Sequence, residues 1–164
     1  SRPPPHQLEI QQVTTKTSTS KVSLLEHMKM YLGASALTIT LNVAPVPASR
    51  PRVSKWGTYY GKNYEKFRRD VRDLLVNHSG DKITGEIYAI VECVIEPPKT
   101  TKRAYPRGDV DNYAKGPLDS LTSNGNFWHD DDQITALFVS KRFAEAGEEP
   151  AIHIHYTEAK DETK

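Results

Sequence analysis

Six carboxylates and a single amine crowd the stretch from Asp109 to Ile134, DVDNYAKGPLDSLTSNGNFWHDDDQI, and leave it with a net charge of −5. The acids form two knots, Asp109 with Asp111 and then Asp130, Asp131 and Asp132, with Asp119 between them. Carboxylates brought together raise one another's pKa unless a cation neutralises them. An oxygen-only donor set of this kind suits Mg²⁺ or Mn²⁺. The chemistry it supports is phosphoryl transfer with water as nucleophile, in which the cation lowers the pKa of water and clamps the scissile phosphate. Lys115 cannot ligate a metal while protonated, so its role would be to offset charge on the pentacovalent phosphate or to orient the attacking water. Asp-x-Asp alone is a weak signal. A calcium loop would need a glycine and a distal glutamate that are missing here at their spacing. A phosphatase using the first aspartate as nucleophile would place the pair at the end of an apolar strand, whereas this pair follows a polar, proline-broken loop.

The bases are distributed to match. Residues 50 to 72 carry Arg50, Arg52, Lys55, Lys62, Lys66, Arg68, Arg69 and Arg72 against Glu65 and Asp70, a local +6, although the whole chain is only +1. Lys99, Lys102, Arg103 and Arg107 follow with no acid among them. Basic segments on both sides of an acidic one suit a polyanion held over a metal site.

The elements that must position these groups are legible in the periodicity. ALTITLNVAP alternates Leu37, Ile39, Leu41 and Val43 with polar residues and predicts a half-buried strand. PVPASRPRV leaves it as an extended loop carrying Arg50 and Arg52. A turn at Gly57 precedes a helix from about Gly61 to Asn77, with Phe67, Val71, Leu74 and Leu75 as its apolar stripe and Arg68, Arg69 and Arg72 largely off it. The nearly continuous apolar run EIYAIVECVIE, residues 86 to 96, predicts a central strand. The loop PPKTTKRAYPRG then delivers positive charge to Asp109, and such a loop is expensive to order without a ligand.

Asp109 or Asp111 caps the next helix, where Ala114, Pro117, Leu118 and Leu121 form the buried face. Asp111, Lys115 and Asp119 follow one another at i+4 on a different face. Pro117 costs on the order of 3 kcal/mol inside a helix, so a bent or short helix is expected. SNGN turns the chain, and Phe127 and Trp128 anchor the following acids. QITALFVSKRF and AIHIHYTE both alternate and predict a hairpin. His153 and His155 share one face of its second strand; without a third partner nearby they read as a polar strand face rather than a metal pair. The element order predicts an α+β domain with a mixed sheet of about four strands and two main helices on one face.

The 164 residues, 37% hydrophobic and 26% charged, fit one domain. Residues 1–35 read as a flexible or extended tail, 36–157 as the folded domain and 158–164 as a frayed end. No apolar run is of membrane-spanning length and no secretory signal is visible, so a cytoplasmic location without membrane association is expected. A single cysteine, Cys93, agrees with a reducing compartment and reads as a packed strand residue.

Taken together, Asp109-Val-Asp111-Asn112, Lys115, Leu118-Asp119-x-Leu121 and Phe127-Trp128-x-Asp130-Asp131-x-Gln133-Ile134 resemble the signature of the RusA family of Holliday junction resolvases, with roughly one extra residue in the SNGN turn. The likeness extends more loosely to the Pro47-x-x-Arg50-Pro51-Arg52 exit of the first strand and to the terminal strands. The resemblance implies a RusA-like fold and a homodimeric, Mg²⁺-dependent endodeoxyribonuclease of bacterial or phage origin that makes paired nicks in four-way DNA junctions. Asp109, Asp111 and Asp131 match the family's metal-binding aspartates, Lys115 its catalytic lysine, and Asp130 the adjacent acid. Asp132 falls at a position the family does not fix. Arg50, Arg52, Lys102, Arg103 and Arg107 are the expected phosphate contacts. Two rival expectations use the same residues: a nuclease for other branched DNA, and a DNA-binding protein of the same fold without activity.

Overall fold

A computed structural model describes residues 7–11, 20–59 and 61–160. Its centre is the most apolar segment of the chain, strand β4 (Ile87–Ile95). Around it stand β1 (Leu37–Leu41), β5 (Ile134–Phe143) and β6 (Ala151–Glu158) in the order β1-β6-β4-β5. β4 pairs parallel with β5 and antiparallel with β6, and β6 pairs antiparallel with β1. A mixed four-stranded α+β sheet therefore stands as the sequence predicts. The predicted hairpin does not form: β4 lies between β5 and β6. Both terminal strands are amphipathic, whereas β4 has an apolar run to bury on both faces, so it takes the central position that both flank.

Two helices cover one face. In α2 (Lys62–Leu75) the buried residues are Tyr64, Phe67, Val71 and Leu75, one residue per turn on a single stripe. Leu74, expected on that stripe, is exposed, and Tyr64 takes its share of the core. In α3 (Val110–Asn124) Tyr113, Ala114, Leu118 and Leu121 are buried. These meet Ile87, Ala89, Val91 and Cys93 of β4 and Ile152, Ile154 and Tyr156 of β6 in one core. Burial of a large apolar side chain is worth about 1.5–3 kcal/mol, so this shared face is what holds α3 against the sheet. α3 runs through the fully buried Pro117 instead of stopping short of it, and it ends at Gly125 in the left-handed conformation.

Close approach of α2 and α3 depends on Gly116. A Cβ there would lie 3.0 Å from Phe67 Cε2 and 3.1 Å from Tyr64 Cε1. Both rings are buried, so neither can step aside easily.

Three elements were not legible in the sequence. A short ribbon, β2 (Arg52–Ser54) with β3 (Gly57–Tyr59), forms where an extended loop and turn are expected. Helix α1 (Lys21–Leu32) forms in the polar N-terminal segment, where Ser20 caps it by accepting from Ser23 N at 3.1 Å. It packs on the opposite sheet face, contacting β4 and β6, and Lys21 Nζ donates to the Lys141 carbonyl at 2.7 Å. On that face His153 and His155 bond Thr40 and Thr38 of β1 at 3.1 and 3.0 Å, the role of polar strand residues. Among the described residues no helix is long and apolar enough to cross a membrane.

Candidate active site

Asp109 holds the N-cap position of α3 by its backbone, with φ −74° and ψ 135°, but its side chain makes no capping bond. An N-cap carboxylate usually accepts from the first-turn amides. Here the carboxylate stays exposed and available, and the open helix end keeps its partial positive charge. Asp111 is exposed in the first turn and Lys115 one turn further on. Neither Asp109, Asp111 nor Lys115 has a side-chain hydrogen bond or ion pair among the described residues. The next turn brings Asp119, half-buried at the edge of the core.

The second knot is held from below. Phe127 and Trp128 are buried at 2% and 0% exposure, and Trp128 Nε1 donates to Thr122 Oγ1 at 2.8 Å. The Thr122 hydroxyl donates in turn to Asp131 Oδ1 in a short bond. Asp131 opens a 3-10 helix, Asp131–Gln133. Asp130 caps that helix: its Oδ1 accepts from Asp132 N at 3.0 Å, and its own N–H donates to Gln133 Oε1 at 3.0 Å. Gln133 Nε2 ties the turn to the carbonyls of Ile83 and Gly85 at 3.0 and 2.9 Å. Asp132 is exposed.

These two anchors bring α3 and the acidic turn together at Asp119 and Asp131, whose carboxyls are within hydrogen-bonding reach. The Asp119 pKa is raised by burial first, then by its hydrogen bond to Asp131 and the Asp131 charge, while Arg68 and Lys115 pull it back down. Asp119 is thus the member of the cluster that the sequence places only on a helix face. The i+4 spacing from Lys115 is the signal; its partner across the turn is not encoded there.

The donor set fits a hard cation: every candidate ligand is a carboxylate oxygen, and the Asp131 carboxylate lies within hydrogen-bonding reach of Asp119, a like-charge approach that a cation would relieve. The described side chains do not by themselves converge in a group of three or more metal-ligating residues.

The basic residues surround this centre unevenly. Arg50 is exposed on the connection after β1, whose backbone is tied to α3 by Ala48 N donating to Asn112 O at 2.8 Å. Arg52 opens β2; its side chain lies outside the described residues. Lys102, Arg103 and Arg107 are exposed on the loop before α3. Arg103 lies over the Tyr105 ring at 5.0 Å and its Nε donates to the Tyr105 carbonyl at 3.2 Å. The end of this loop is pinned without a ligand: Lys141 Nζ donates to the carbonyls of Pro106, at 2.7 Å, and Gly108, and Tyr113 OH donates to Arg107 O at 2.7 Å.

Residues 42–155 match the family model described as Endodeoxyribonuclease RusA. A comparison with curated proteins finds no match.

Proposed function

The chain belongs to the RusA family of Holliday junction endodeoxyribonucleases, and from that membership we propose that it resolves four-way DNA junctions by paired, Mg²⁺-dependent nicks. The observation that carries the reading is the opposition of Asp119 and Asp131 beside a helix face bearing Asp111 and Lys115. Asp109, Asp111 and Asp131 would hold the ion, with Asp130 as a further carboxylate tied to its capping role. When bound, Mg²⁺ supplies Lewis acidity toward the scissile phosphate and makes water a better nucleophile. Asp109 and Asp111, unbonded among the described residues, are free to turn toward it. Thr122 fixes the Asp131 carboxylate, so one ligand is preset. The Lys115 ammonium stands one turn from Asp111 and offsets charge that grows on the phosphate oxygens. The open N-terminus of α3 adds a partial positive charge at the same end.

Arg50, Arg52, Lys102, Arg103 and Arg107 contact phosphates on the approach to α3. Symmetric cleavage of a junction needs two such sites related by a two-fold axis, so the active form is a homodimer.

Cleavage of a synthetic four-way junction beside matched linear and flapped duplexes, with Mg²⁺ and with EDTA, tests the reading. Paired, metal-dependent nicks in the junction alone, lost in Asp111→Asn, are the expected result. Junction binding without cleavage under any divalent ion would overturn the catalytic assignment; equal cutting of all three DNAs would remove the junction specificity.

A further inference from the structure

Between α2 and α3, on the side of the acidic cluster, lies an open cleft of about 700 Å³. One wall is the helix edge carrying Arg68, Arg69 and Arg72, and the other presents Ser120, Ser123 and Asn124 of α3. Glu65 is the one acid on its lining. Arg69 and Arg72 are exposed, and neither has an ion-pair or hydrogen-bond partner among the described residues. Arg68, on the same wall, lies over the Tyr64 ring at 5.9 Å and is close enough to Asp119 to act on its charge. The lining residue Ser120 follows Asp119 and Ser123 follows Thr122, so cleft and acidic cluster share the same two turns of α3.

Glu65, Asp70 and Asp73 stand among these bases in the sequence, yet among the described residues the one ion pair α2 makes is Lys66 with Asp70 at 2.7 Å, which leaves the charge of Arg69 and Arg72 unneutralised by pairing. A groove with three guanidiniums on one wall and Ser120, Ser123 and Asn124 on the other matches a chain of phosphates, since Arg forks and Ser hydroxyls are both common donors to phosphate oxygens. We infer that the α2–α3 cleft seats the phosphodiester backbone of one DNA arm and leads it to the carboxylates at the Asp119 end. The nuclease reading supplies the identity of the polyanion; the cleft itself is argued from charge and from its continuity with the cluster.

Binding of a fluorescent four-way junction to the full chain, followed by anisotropy in EDTA over a range of salt, separates the two readings because no cleavage is involved. In Arg69→Gln/Arg72→Gln the junction should bind at least about tenfold more weakly, with the slope of log affinity against log salt reduced by about two. Lys66→Gln, a base on α2 outside the cleft, should bind within about twofold of wild type while Arg72→Gln alone does not. Circular dichroism checks folding; Arg72→Gln carries the comparison should the double variant not fold. Equal losses in Lys66→Gln and Arg72→Gln, or unchanged affinity and slope in the double variant, would overturn the cleft. A wild type that binds the junction but never cuts it would defeat the nuclease reading and leave the cleft standing. A wild type that binds no DNA would end both and turn the search toward an acidic protein partner.

Discussion

Thr122 donates its hydroxyl hydrogen to Asp131 Oδ1 while its oxygen accepts the indole N–H of the fully buried Trp128. A half-buried carboxylate of the acidic turn is thereby bolted to a fully buried ring. Valine at position 122 keeps the shape but removes both bonds, leaving a buried N–H unsatisfied at a cost of about 1–3 kcal/mol. Thr122→Val should lower junction cleavage by about 10–100-fold, the usual loss when the partner orienting a metal-binding group is removed. Thr122→Ser, which restores the hydroxyl, should recover most of it. Equal activity in the valine variant, measured by single-turnover cleavage, would show that Asp131 needs no such support.

Gly116 governs how closely α3 lies on α2, and through it the position of Lys115. Alanine normally gains up to about 1 kcal/mol over glycine inside a helix. Here its Cβ meets the buried rings of Phe67 and Tyr64 at about contact-breaking distance, so Gly116→Ala should instead destabilise by about 1–3 kcal/mol. Urea denaturation decides the sign directly.

Glu148 grips Arg142 with both oxygens, at 2.6 and 2.7 Å, and so closes the connection between β5 and β6. The Arg142 hydrogen bonds hold the Glu148 carboxyl down at about 2, below its ordinary 4.5. A lowered carboxylate stabilises the fold above its unfolded pKa, and that contribution is lost as pH falls through the folded pKa. The stability difference between wild type and Glu148→Gln should therefore be constant near neutral pH and shrink between about 4.5 and about 2. Thermal melts across that window test it; a difference that grows with acidity would reverse the assignment.

Cys93 is fully buried in β4, and burial pushes its thiol up to about 12, with the neighbouring Glu92 adding to the effect. It should resist alkylation in the native protein at pH 8 and react once urea opens the sheet. Rapid labelling without denaturant, read by mass spectrometry, would contradict the central placement of β4.

The sequence by itself determined the acid spacing, the lysine one turn from Asp111, the two apolar helix stripes and the strand positions, because each of these is written in local periodicity. It also carried the family, through several spaced residues matching together. Periodicity states that a strand is half-buried without saying which strand lies beside it, so β4 between β5 and β6 was decided only in three dimensions. α1 has little amphipathic pattern and buries only Leu25 of its twelve residues, so its placement comes from a cap and from the sheet face beneath it. Asp119 meets Asp131 through the turn that Thr122 and Trp128 hold against α3, and Arg68 acts on the charge of Asp119 across α2 and α3, which lie close together because residue 116 is glycine. Local sequence fixes what a residue can do, but which charges oppose one another is set by the packing of helices distant in the chain.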